Sequence, residues 1–480
     1  MNSRIKNLTL CILAAVMAAG ASAPVLAASA SDNAYYDLRP RLPKVRDQAE
    51  FGICWAFGIT AAMESNLIQK GLASPEIDLS EYYLAYYTFN DESPALYSFE
   101  SPTKSGFDTS ANEWQSTGII VRGTGPVLES RAPYPKSKKS AKVPAAAPRD
   151  YKLKNILYMG ESESINPPIK GDRIATVKAL LMKYGAVSVS LYVPDPKNDN
   201  EGAIEAYMSK ANGYYSGFVS EGAEGSSKVR DPNHIVAVVG WDDKFSRDKF
   251  GGGLHKELKP RSDGAWIVRN SWGEDFGDKG YFYVSYEEGT LTDGIAYDMV
   301  PAEPDETIYQ YNKLGVADFM NGDWIPVQEK DVKKTAAAWC ANMYTAKRTE
   351  NIVAAAFYTV ARNTVCEVSV YTGCNAGAPT SGKKSVSYKT TIEAPGYCTI
   401  DLPSPASVSE GEKFSVVIKV TSPNYAFPIP VGCRLPDVRL YDKSRANPGE
   451  SFISATGKYW TDTTDISPTA NVCLKAFGKK

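Results

Sequence analysis

Cys54 occupies the position that a thiol nucleophile needs. It is the only cysteine between residues 12 and 339, and it stands where a helical pattern begins, directly after Gly52 and Ile53. The free N–H groups at a helix N-terminus, together with the positive end of the helix dipole, favour the thiolate over the thiol. Because the thiolate is the reactive form of cysteine, this pattern predicts nucleophilic catalysis.

A thiolate nucleophile needs a base, and the chain has only two histidines. His234 opens an apolar, β-branched run that predicts a buried strand, whereas His255 lies among glycines and lysines that indicate a solvated loop. A second predicted strand ends at Asn270, whose side-chain amide can fix an imidazole, and Trp272 follows to shield that hydrogen bond from water. We therefore predict a Cys-His-Asn site; the alternative for each residue is an ordinary place in the core.

Three motifs, which carry four candidate catalytic residues, resemble in sequence and order those of the papain-like cysteine peptidases. Gln48 precedes the nucleophile in D-Q-A-E-F-G-I-C-W-A-F, His234 lies in N-H-I-V-A-V-V-G-W, and Asn270 and Trp272 lie in N-S-W-G. The resemblance covers roughly residues 36–300. It implies that Cys54 attacks a peptide carbonyl, that His234 protonates the leaving amine, and that Asn270 orients the imidazole. The Gln48 amide and the backbone N–H of Cys54 would form the oxyanion hole, with no metal and no cofactor.

Other positions are assigned by the same resemblance or depart from it. Phe51 stands where the family usually has a disulfide cysteine, and Ile53 stands where it has Ser or Ala; both departures can alter access to the cleft. Besides Trp272, the resemblance predicts substrate contacts at Gly106 and at Asp298, with Tyr297 as the alternative to Asp298. An acid at position 298, on the floor of the S2 pocket, would favour a basic P2 residue. Surface insertions are expected at 195–202 and 244–262.

The elements that must position these residues predict an α+β fold. A helix is expected from residue 55 to just before Gly71, and another over 172–184. Strands then dominate, with valines and Leu191 alternating with Ser and Tyr over 187–193. A helical lobe with the thiol and an antiparallel β lobe with the imidazole and amide would meet at a cleft, as the papain-like two-lobed fold implies.

A second part begins after about Pro301. Its short alternating runs, separated by Gly, Pro and Ser, predict an all-β sandwich of about 170 residues, similar to the lectin-like domains that follow papain-like peptidases on bacterial surfaces. A glycan or surface ligand is expected for it, with an aromatic stacking surface or, alternatively, an aromatic core. An even number of cysteines in an exported chain predicts up to three disulfides, among Cys340, Cys366, Cys374, Cys398, Cys433 and Cys473.

The first residues predict export. Arg4 and Lys6 precede an apolar stretch and small-residue cleavage sites, which is typical of a secretory signal peptide. We predict a signal peptide at 1–27, a catalytic domain at 28–303 and a sandwich at 304–480, with the protein in the periplasm, on the cell surface or outside the cell. Little chain separates the leader from the catalytic motif, so no long inhibitory prodomain is expected.

Composition and charge exclude other classes of partner. No later segment has the 18 or more consecutive apolar residues of a membrane span, and the formal net charge of -2 gives no support to nucleic-acid binding. The leading prediction is an exported cysteine endopeptidase acting on protein or peptide substrates. The alternatives are a surface binding or adhesion protein on a weakly active papain-like scaffold, and an aminopeptidase or transpeptidase whose insertion at 244–262 closes part of the cleft.

Overall fold

The computed structural model describes residues 33–90, 113–161, 167–195, 202–221, 228–320, 335–423, 425–435 and 444–480. The predicted signal peptide and Gly106 lie outside the described residues. Helices of the first part are α1 (Cys54–Gln69), α2 (Glu81–Phe89), α3 (Glu113–Arg122) and α4 (Asp172–Tyr184). Its strands are β1 (Tyr35–Asp37), β2 (Tyr151–Tyr158), β3 (Val187–Leu191), β4 (Gly213–Tyr214), β5 (His234–Asp242), β6 (Ala265–Arg269), β7 (Tyr281–Ser285) and β8 (Thr292–Pro301).

The first part consists of a helical side and a mainly antiparallel sheet. The strand order is β2-β8-β3-β5-β6-β7-β4, and β1 pairs with β5. The predicted helices are confirmed, α4 at the predicted bounds and α1 beginning one residue earlier, at Cys54 itself. The α+β prediction for this part is therefore confirmed.

Strand β3 is buried on both faces, although its sequence alternates. All five of its residues are buried, the two serines included. The reason is its place in the sheet: β5 and β8 flank it, and α1 and α4 both pack against it. Ser188 and Ser190 are therefore core residues.

Helix α1 lies unusually close to β5 because it has a glycine at the contact. A Cβ on Gly58 would lie 2.7 Å from Cγ2 of Ile235 and 3.4 Å from the carbonyl oxygen of Val236. Gly58 follows Cys54 by one helical turn, and Ile235 follows His234 directly. This contact therefore lies one helical turn from the thiol and one residue from the imidazole.

The second part is the predicted all-β sandwich. Its strands are β9 (Thr307–Tyr309), β10 (Asp318–Met320), β11 (Thr335–Thr345), β12 (Glu350–Thr359), β13 (Thr364–Thr372), β14 (Lys383–Ile392), β15 (Gly396–Val408), β16 (Lys413–Pro423), β17 (Ile429–Gly432), β18 (Ser451–Ser454), β19 (Thr461–Asp462), β20 (Asn471–Val472) and β21 (Lys475–Lys479), with one short helix, α5 (Thr463–Ile466). A six-stranded sheet, β14-β13-β16-β11-β18-β19, faces a four-stranded sheet, β15-β12-β21-β9, and a small sheet, β10-β17-β20, completes the domain. The core between the two large sheets is apolar.

The cysteines of the sandwich require a correction. All six are free thiols in the structure, so the predicted disulfides are absent from it. Cys340 on β11 and Cys366 on β13 point into the same core, but β16 lies between their strands. All six are buried, and burial raises the pKa of Cys340 and of Cys398 to about 12. They therefore act as small apolar side chains of the core.

The two parts share one continuous apolar core. Along β12, Ala355 and Phe357 face the interior of the sandwich, whereas Ala354, Ala356 and Tyr358 face the catalytic part. There they join the same cluster as side chains of β2. Tyr358, one of the aromatics considered for sugar stacking, is thus buried at the seam between the domains.

No helix among the described residues is both long enough and apolar enough to cross a membrane.

Candidate active site

Cys54 is the first residue of α1 and is partly exposed. The residue before it, Ile53, has no side-chain capping hydrogen bond, so no side chain competes at the helix N-terminus. Backbone N–H groups of Trp55 and Ile235 hydrogen-bond to the sulfur. The sequence therefore delivers the thiol to the positive end of the helix dipole, as expected from its position.

His234 and Asn270 meet because their strands are antiparallel neighbours. His234 is the first residue of β5, and Asn270 follows the last residue of β6, so both lie at the same edge of the sheet. Nε2 of His234 donates to Oδ1 of Asn270 at 2.8 Å, since an amide oxygen can only accept. The other ring nitrogen is left for Cys54, with which His234 also hydrogen-bonds.

The thiol and the imidazole shift each other's pKa in opposite directions. Burial by itself raises the pKa of Cys54, but the positive charge of His234 and the hydrogen bonds to the sulfur outweigh it, so the pKa lies below its ordinary value. Burial by itself lowers the pKa of His234, but the thiolate and the hydrogen bonds with Cys54 and Asn270 outweigh it, so the pKa lies above its ordinary value. Both shifts favour a thiolate-imidazolium pair.

Trp272 covers the imidazole side of this pair. Its ring centroid lies 4.9 Å from that of His234 with a 33° angle between the planes, and Phe276 packs edge-on against the indole. The indole therefore limits the access of water to the bond between His234 and Asn270, as its place in the sequence suggested. Because Trp272 is itself only partly buried, it also borders the open side of the site.

The side chain of Gln48 is held in place by a residue that the sequence reasoning missed. The hydroxyl of Ser271 donates to Oε1 of Gln48 at 2.6 Å, and the backbone N–H of Gln48 donates to the carbonyl of Ser271 at 2.8 Å. Nε2 of Gln48 donates to the carbonyl of Phe51 at 2.8 Å, which uses one of its two hydrogens. The only sequence signal for Ser271 was its place inside N-S-W-G.

Phe51 and Ile53 do not stand in the cleft. Both are buried in the core of the helical side, and the ring of Phe51 packs edge-on against Tyr134 with centroids 5.5 Å apart. The expectation that they alter access to the thiol is therefore wrong for the described residues. Aromatic packing fills the position where the family pattern has a disulfide.

Asp298 is not brought to the site, which corrects its assignment to a pocket floor. Its Oδ1 pairs with Nζ of Lys70 at 2.7 Å, and its Oδ2 accepts from Asn155 at 2.7 Å. Lys70 follows the last residue of a 16-residue helix that begins at Cys54, so this pair lies about 24 Å along the helix axis from the thiol. Asp298 therefore stabilises the far end of α1.

A different acid of β8 lies nearer to the imidazole. Asp293 is buried, and its Cα pairs with that of Val189 on β3. The residue after Val189, Ser190, pairs with Ile235, which follows His234 on β5. Burial raises the pKa of Asp293, and hydrogen bonds from Ser190 and a neighbouring Thr oppose this shift. No motif singled it out, because only the sheet register places it there.

One group of carboxylates among the described residues is compact enough to hold a metal, and a guanidinium already lies within it. Ligand oxygens of Asp78, Glu81 and Glu129 lie within 4.8 Å of one another. Arg46 pairs with Asp78 at 2.9 Å, with Glu81 at 2.7 Å and with Glu64 at 2.8 Å. The guanidinium supplies positive charge there and anchors the segment that carries Gln48.

Family comparison defines the class of protein. A model described as the papain family cysteine protease matches residues 33–300, which is more than half of the chain, and a model described as a lectin like domain matches residues 308–478. The chain belongs to the papain family of cysteine proteases. It is a cysteine-peptidase domain followed by a lectin-like domain.

Individual relatives agree with this assignment. Cysteine proteinase 2 of Entamoeba histolytica is 27% identical over 259 residues, which cover 54% of this chain and 64% of that protein. A cysteine protease of Blomia tropicalis is 25% identical, over 53% of this chain and 60% of that protein. The chain thus spans less than two thirds of the length of each of these relatives.

Solved structures extend the likeness over both domains. The Clostridial cysteine protease Cwp84 after propeptide cleavage superposes with a TM-score of 0.71 at 23% identity, covering 93% of this chain and 99% of that one. A structure of the cysteine protease and lectin-like domains of Cwp84, a surface layer associated protein of Clostridium difficile, gives a TM-score of 0.70 at 23% identity, covering 94% of this chain and 89% of that one. At this identity the likeness shows the fold alone.

Proposed function

We propose that the protein is an exported cysteine endopeptidase that hydrolyses peptide bonds through Cys54, His234 and Asn270, with Gln48 in the oxyanion hole. The observation that carries the proposal is the chain of contacts from thiol to imidazole to amide, with the pKa of the thiol lowered and that of the imidazole raised. Opposed pKa shifts of a thiol and an imidazole in contact are typical of catalytic pairs.

The proposed mechanism uses each contact in turn. The Cys54 thiolate attacks the substrate carbonyl, and the oxyanion that forms accepts hydrogen bonds from Nε2 of Gln48 and the backbone N–H of Cys54. The imidazolium of His234 then gives its proton to the leaving amine, so the C–N bond breaks and a thioester remains. Water, deprotonated by the now neutral imidazole, attacks the thioester and releases the acid and the thiol.

Endopeptidase action is favoured over action at chain ends by the place of the insertion 244–262. The insertion comes after the last residue of β5, whereas His234 is the first residue of that strand. A nine-residue strand is roughly 27 Å long, so this distance separates the two ends. Part of the insertion packs on residues 206–209, where the N–H of Leu254 donates to the carbonyl of Ala206 at 3.1 Å. The insertion thus leaves the sheet at the end opposite the imidazole, which supports the proposal of endopeptidase action.

The lectin-like domain is proposed to bind a carbohydrate or another surface ligand, and the predicted signal peptide at 1–27 is proposed to direct export to the periplasm, the cell surface or the medium. The domain's likeness to that of a surface layer associated protease supports a surface location. We keep the domain bounds 28–303 and 304–480 as part of the proposal, next to the matched ranges 33–300 and 308–478.

An activity-based probe tests the catalytic proposal. The mature protein is treated with an epoxysuccinyl reagent under mild reduction, beside Cys54→Ala and His234→Ala, and the labelled residue is identified by mass spectrometry. Labelling at Cys54 that both substitutions abolish is the expected result, because the reagent needs an activated thiolate.

A second assay separates the enzyme classes. A peptide blocked at both ends should be cut internally by the wild type and not by Cys54→Ala. Cleavage only of peptides with a free terminus would instead identify an exopeptidase. A wild type that takes no label and cuts no peptide would favour the weakly active binding scaffold.

A further inference from the structure

The two outer faces of the sandwich have different neighbours. The four-stranded sheet packs on the catalytic part, through alternate residues of β12 such as Ala354 and Ala356. On the six-stranded sheet, Cys340 and Ile418 point into the sandwich core, so their strand neighbours Trp339 and Lys419 point outward. This outward face of the six-stranded sheet, which we call the outer face, is on the side away from the peptidase.

A row of charged and aromatic side chains crosses the outer face. Lys389 pairs in register with Glu367, Glu367 with Lys419, and Lys419 with Trp339. Oε1 of Glu367 lies 3.5 Å from Nζ of Lys389 and 3.3 Å from Nζ of Lys419, which in turn lies 5.2 Å from the centre of the indole of Trp339. The acid thus holds two lysines beside a half-buried aromatic ring.

A second pair of the same kind lies farther along the strands. Tyr371 pairs in register with Lys384, whose Nζ lies 5.4 Å from the centre of the phenol ring. Tyr371 also pairs with Ser415, four residues before Lys419 on β16, so the two pairs are about 13 Å apart. Between them, small or apolar side chains such as Ala341 and Val417 form a buried floor.

One loop borders Trp339. Gly457 has a φ of +72°, and a Cβ there would lie 2.8 Å from Nε1 of Trp339, so only glycine lets the loop approach the indole. Tyr459, two residues farther along the loop, is 82% exposed. Beside it, Nε1 of the half-buried Trp460 has no hydrogen-bond partner among the described residues, an uncommon state for a buried donor.

Charge and ring geometry together indicate the ligand. The row and the adjacent pair together contain three lysines, Lys384, Lys389 and Lys419, and one acid, Glu367. They are therefore locally positive, whereas the whole chain has a net charge of -2. We propose that the outer face binds an acidic carbohydrate, with a sugar ring stacked on Trp339 and its carboxylate or phosphate groups beside Lys389 and Lys419. This inference rests on the proposed ligand-binding role of the lectin-like domain and gives that role a surface and a ligand class.

The physical basis is the pairing of two weak interactions over one area. The apolar face of a sugar ring covers an indole, while amines at the rim attract its anionic groups. Glu367 is expected to keep both lysines extended over the face in the absence of ligand. Burial is the largest single effect on its carboxyl and raises the pKa, but Lys419 and Lys389 together outweigh it and hold the pKa below the ordinary value. Neutral glycans would use the ring alone and bind more weakly.

The test measures binding of the full chain to polygalacturonate, poly(glycerol phosphate) and dextran, with poly-glutamate as a polyanion without sugar rings. At least one of the first two polymers should bind about 10-fold more tightly than dextran or poly-glutamate, and whichever does so distinguishes carboxylate from phosphate as the recognised group. Trp339→Ala, and separately the double variant Lys389→Gln and Lys419→Gln, should each weaken that binding about 10-fold. Raising the NaCl concentration should weaken it in the wild type.

Matched controls keep the result interpretable. Lys44→Gln removes a lysine whose side chain is 86% exposed on the catalytic part, and Tyr35→Ala removes a tyrosine that is 51% exposed there; both should bind as the wild type does. Trp339→Phe retains a ring and should keep part of the affinity, which separates loss of stacking from loss of folding. Labelling at Cys54 in each variant reports an intact catalytic domain independently.

Each result bears on a different claim. Binding to an acidic polymer that all outer-face variants retain would overturn the location while leaving a ligand-binding domain. Equal binding of dextran, or tighter binding of poly-glutamate, would overturn the acidic carbohydrate as the ligand. No binding to any polymer would overturn both this inference and the glycan role of the domain, while the peptidase proposal would still be decided by Cys54 labelling.

Discussion

Gly58→Ala should separate the thiol from the imidazole without touching either. Gly58 has ordinary helical geometry, so alanine adds no backbone strain, but its Cβ would lie 2.7 Å from Cγ2 of Ile235. Carbon atoms in good contact are about 3.5–4.0 Å apart, so relieving this clash by moving the helix away from the strand takes a separation of roughly 1 Å. Because Cys54 is one turn away and His234 is next to Ile235, their separation should increase by a similar distance.

The expected effect on catalysis is larger than the effect on stability. Overpacking costs about 1–3 kcal/mol, but alanine in place of glycine inside a helix restores about 1 kcal/mol, so the free energy of unfolding should fall by at most about 2 kcal/mol. A misplacement of about 1 Å between reacting groups can lower the rate about 10²-fold. We expect kcat/KM and the rate of epoxysuccinyl labelling at Cys54 to fall by that factor, in a protein that still folds.

The assay compares labelling rates, peptide hydrolysis and thermal unfolding in a double-mutant cycle. Ile235→Ala removes the atom that meets the new Cβ, so the combination with Gly58→Ala should be more active than Gly58→Ala alone. Wild-type labelling in Gly58→Ala would refute the reasoning that this contact sets the approach of Cys54 to His234. A fall in activity that Ile235→Ala does not relieve would show that the helix moves for another reason.

Three further changes test the surroundings of the site. Asn270→Ala removes the acceptor at Nε2 of His234, and with it a hydrogen bond that raises the pKa of the imidazole. Labelling at Cys54 should therefore slow about 10²-fold, and the pH above which the labelling rate declines should be lower than in the wild type. An unchanged pH of decline would contradict this prediction. Ser271→Ala frees the side chain of Gln48 and should lower kcat about 10-fold with little change in KM, and Ser271→Thr should restore it; equal kcat in the alanine variant would count against a positioning role. Burial is the main reason that the pKa of Glu129 is raised to about 7, so the folded state binds more protons than the unfolded state between about pH 4.5 and 7. Stability should therefore fall as the pH rises through that window, and Glu129→Gln should make the Tm depend less on pH. An unchanged slope of Tm against pH in this variant would contradict the prediction.

The local pattern of the sequence was enough for the elements and for the order of the reactive groups. Helix α4 has the predicted bounds, and α1 begins at the residue marked as nucleophile. These predictions succeed because helix and strand formation follow from periodicity and turn residues over a few positions. The pair of His234 and Asn270 was predicted from motifs, and the structure then places them 2.8 Å apart.

Where the sequence reasoning failed, the deciding contacts join distant parts of the chain. Asp298 pairs with Lys70 rather than lining the site, and the six cysteines of the sandwich are free thiols although their even number predicted disulfides. Neither result can be deduced from spacing, because strand register and the position of intervening strands fix which side chains meet. Ser271 was missed for the same reason, since its partner Gln48 lies more than two hundred residues away in the chain.

The sequence by itself determined which residues could react: a thiol at a helix start, an imidazole and an amide at strand ends, and an amide upstream for the oxyanion. The tertiary structure alone decided that they meet, through the close contact at Gly58 and the register of β5 with β6. It also decided which face of the sandwich is covered by the peptidase and which is left with Trp339 and its lysines. The physical reason is that reactivity and exposure depend on distances set by long-range packing, whereas the identity of each group and its local conformation are written along the chain.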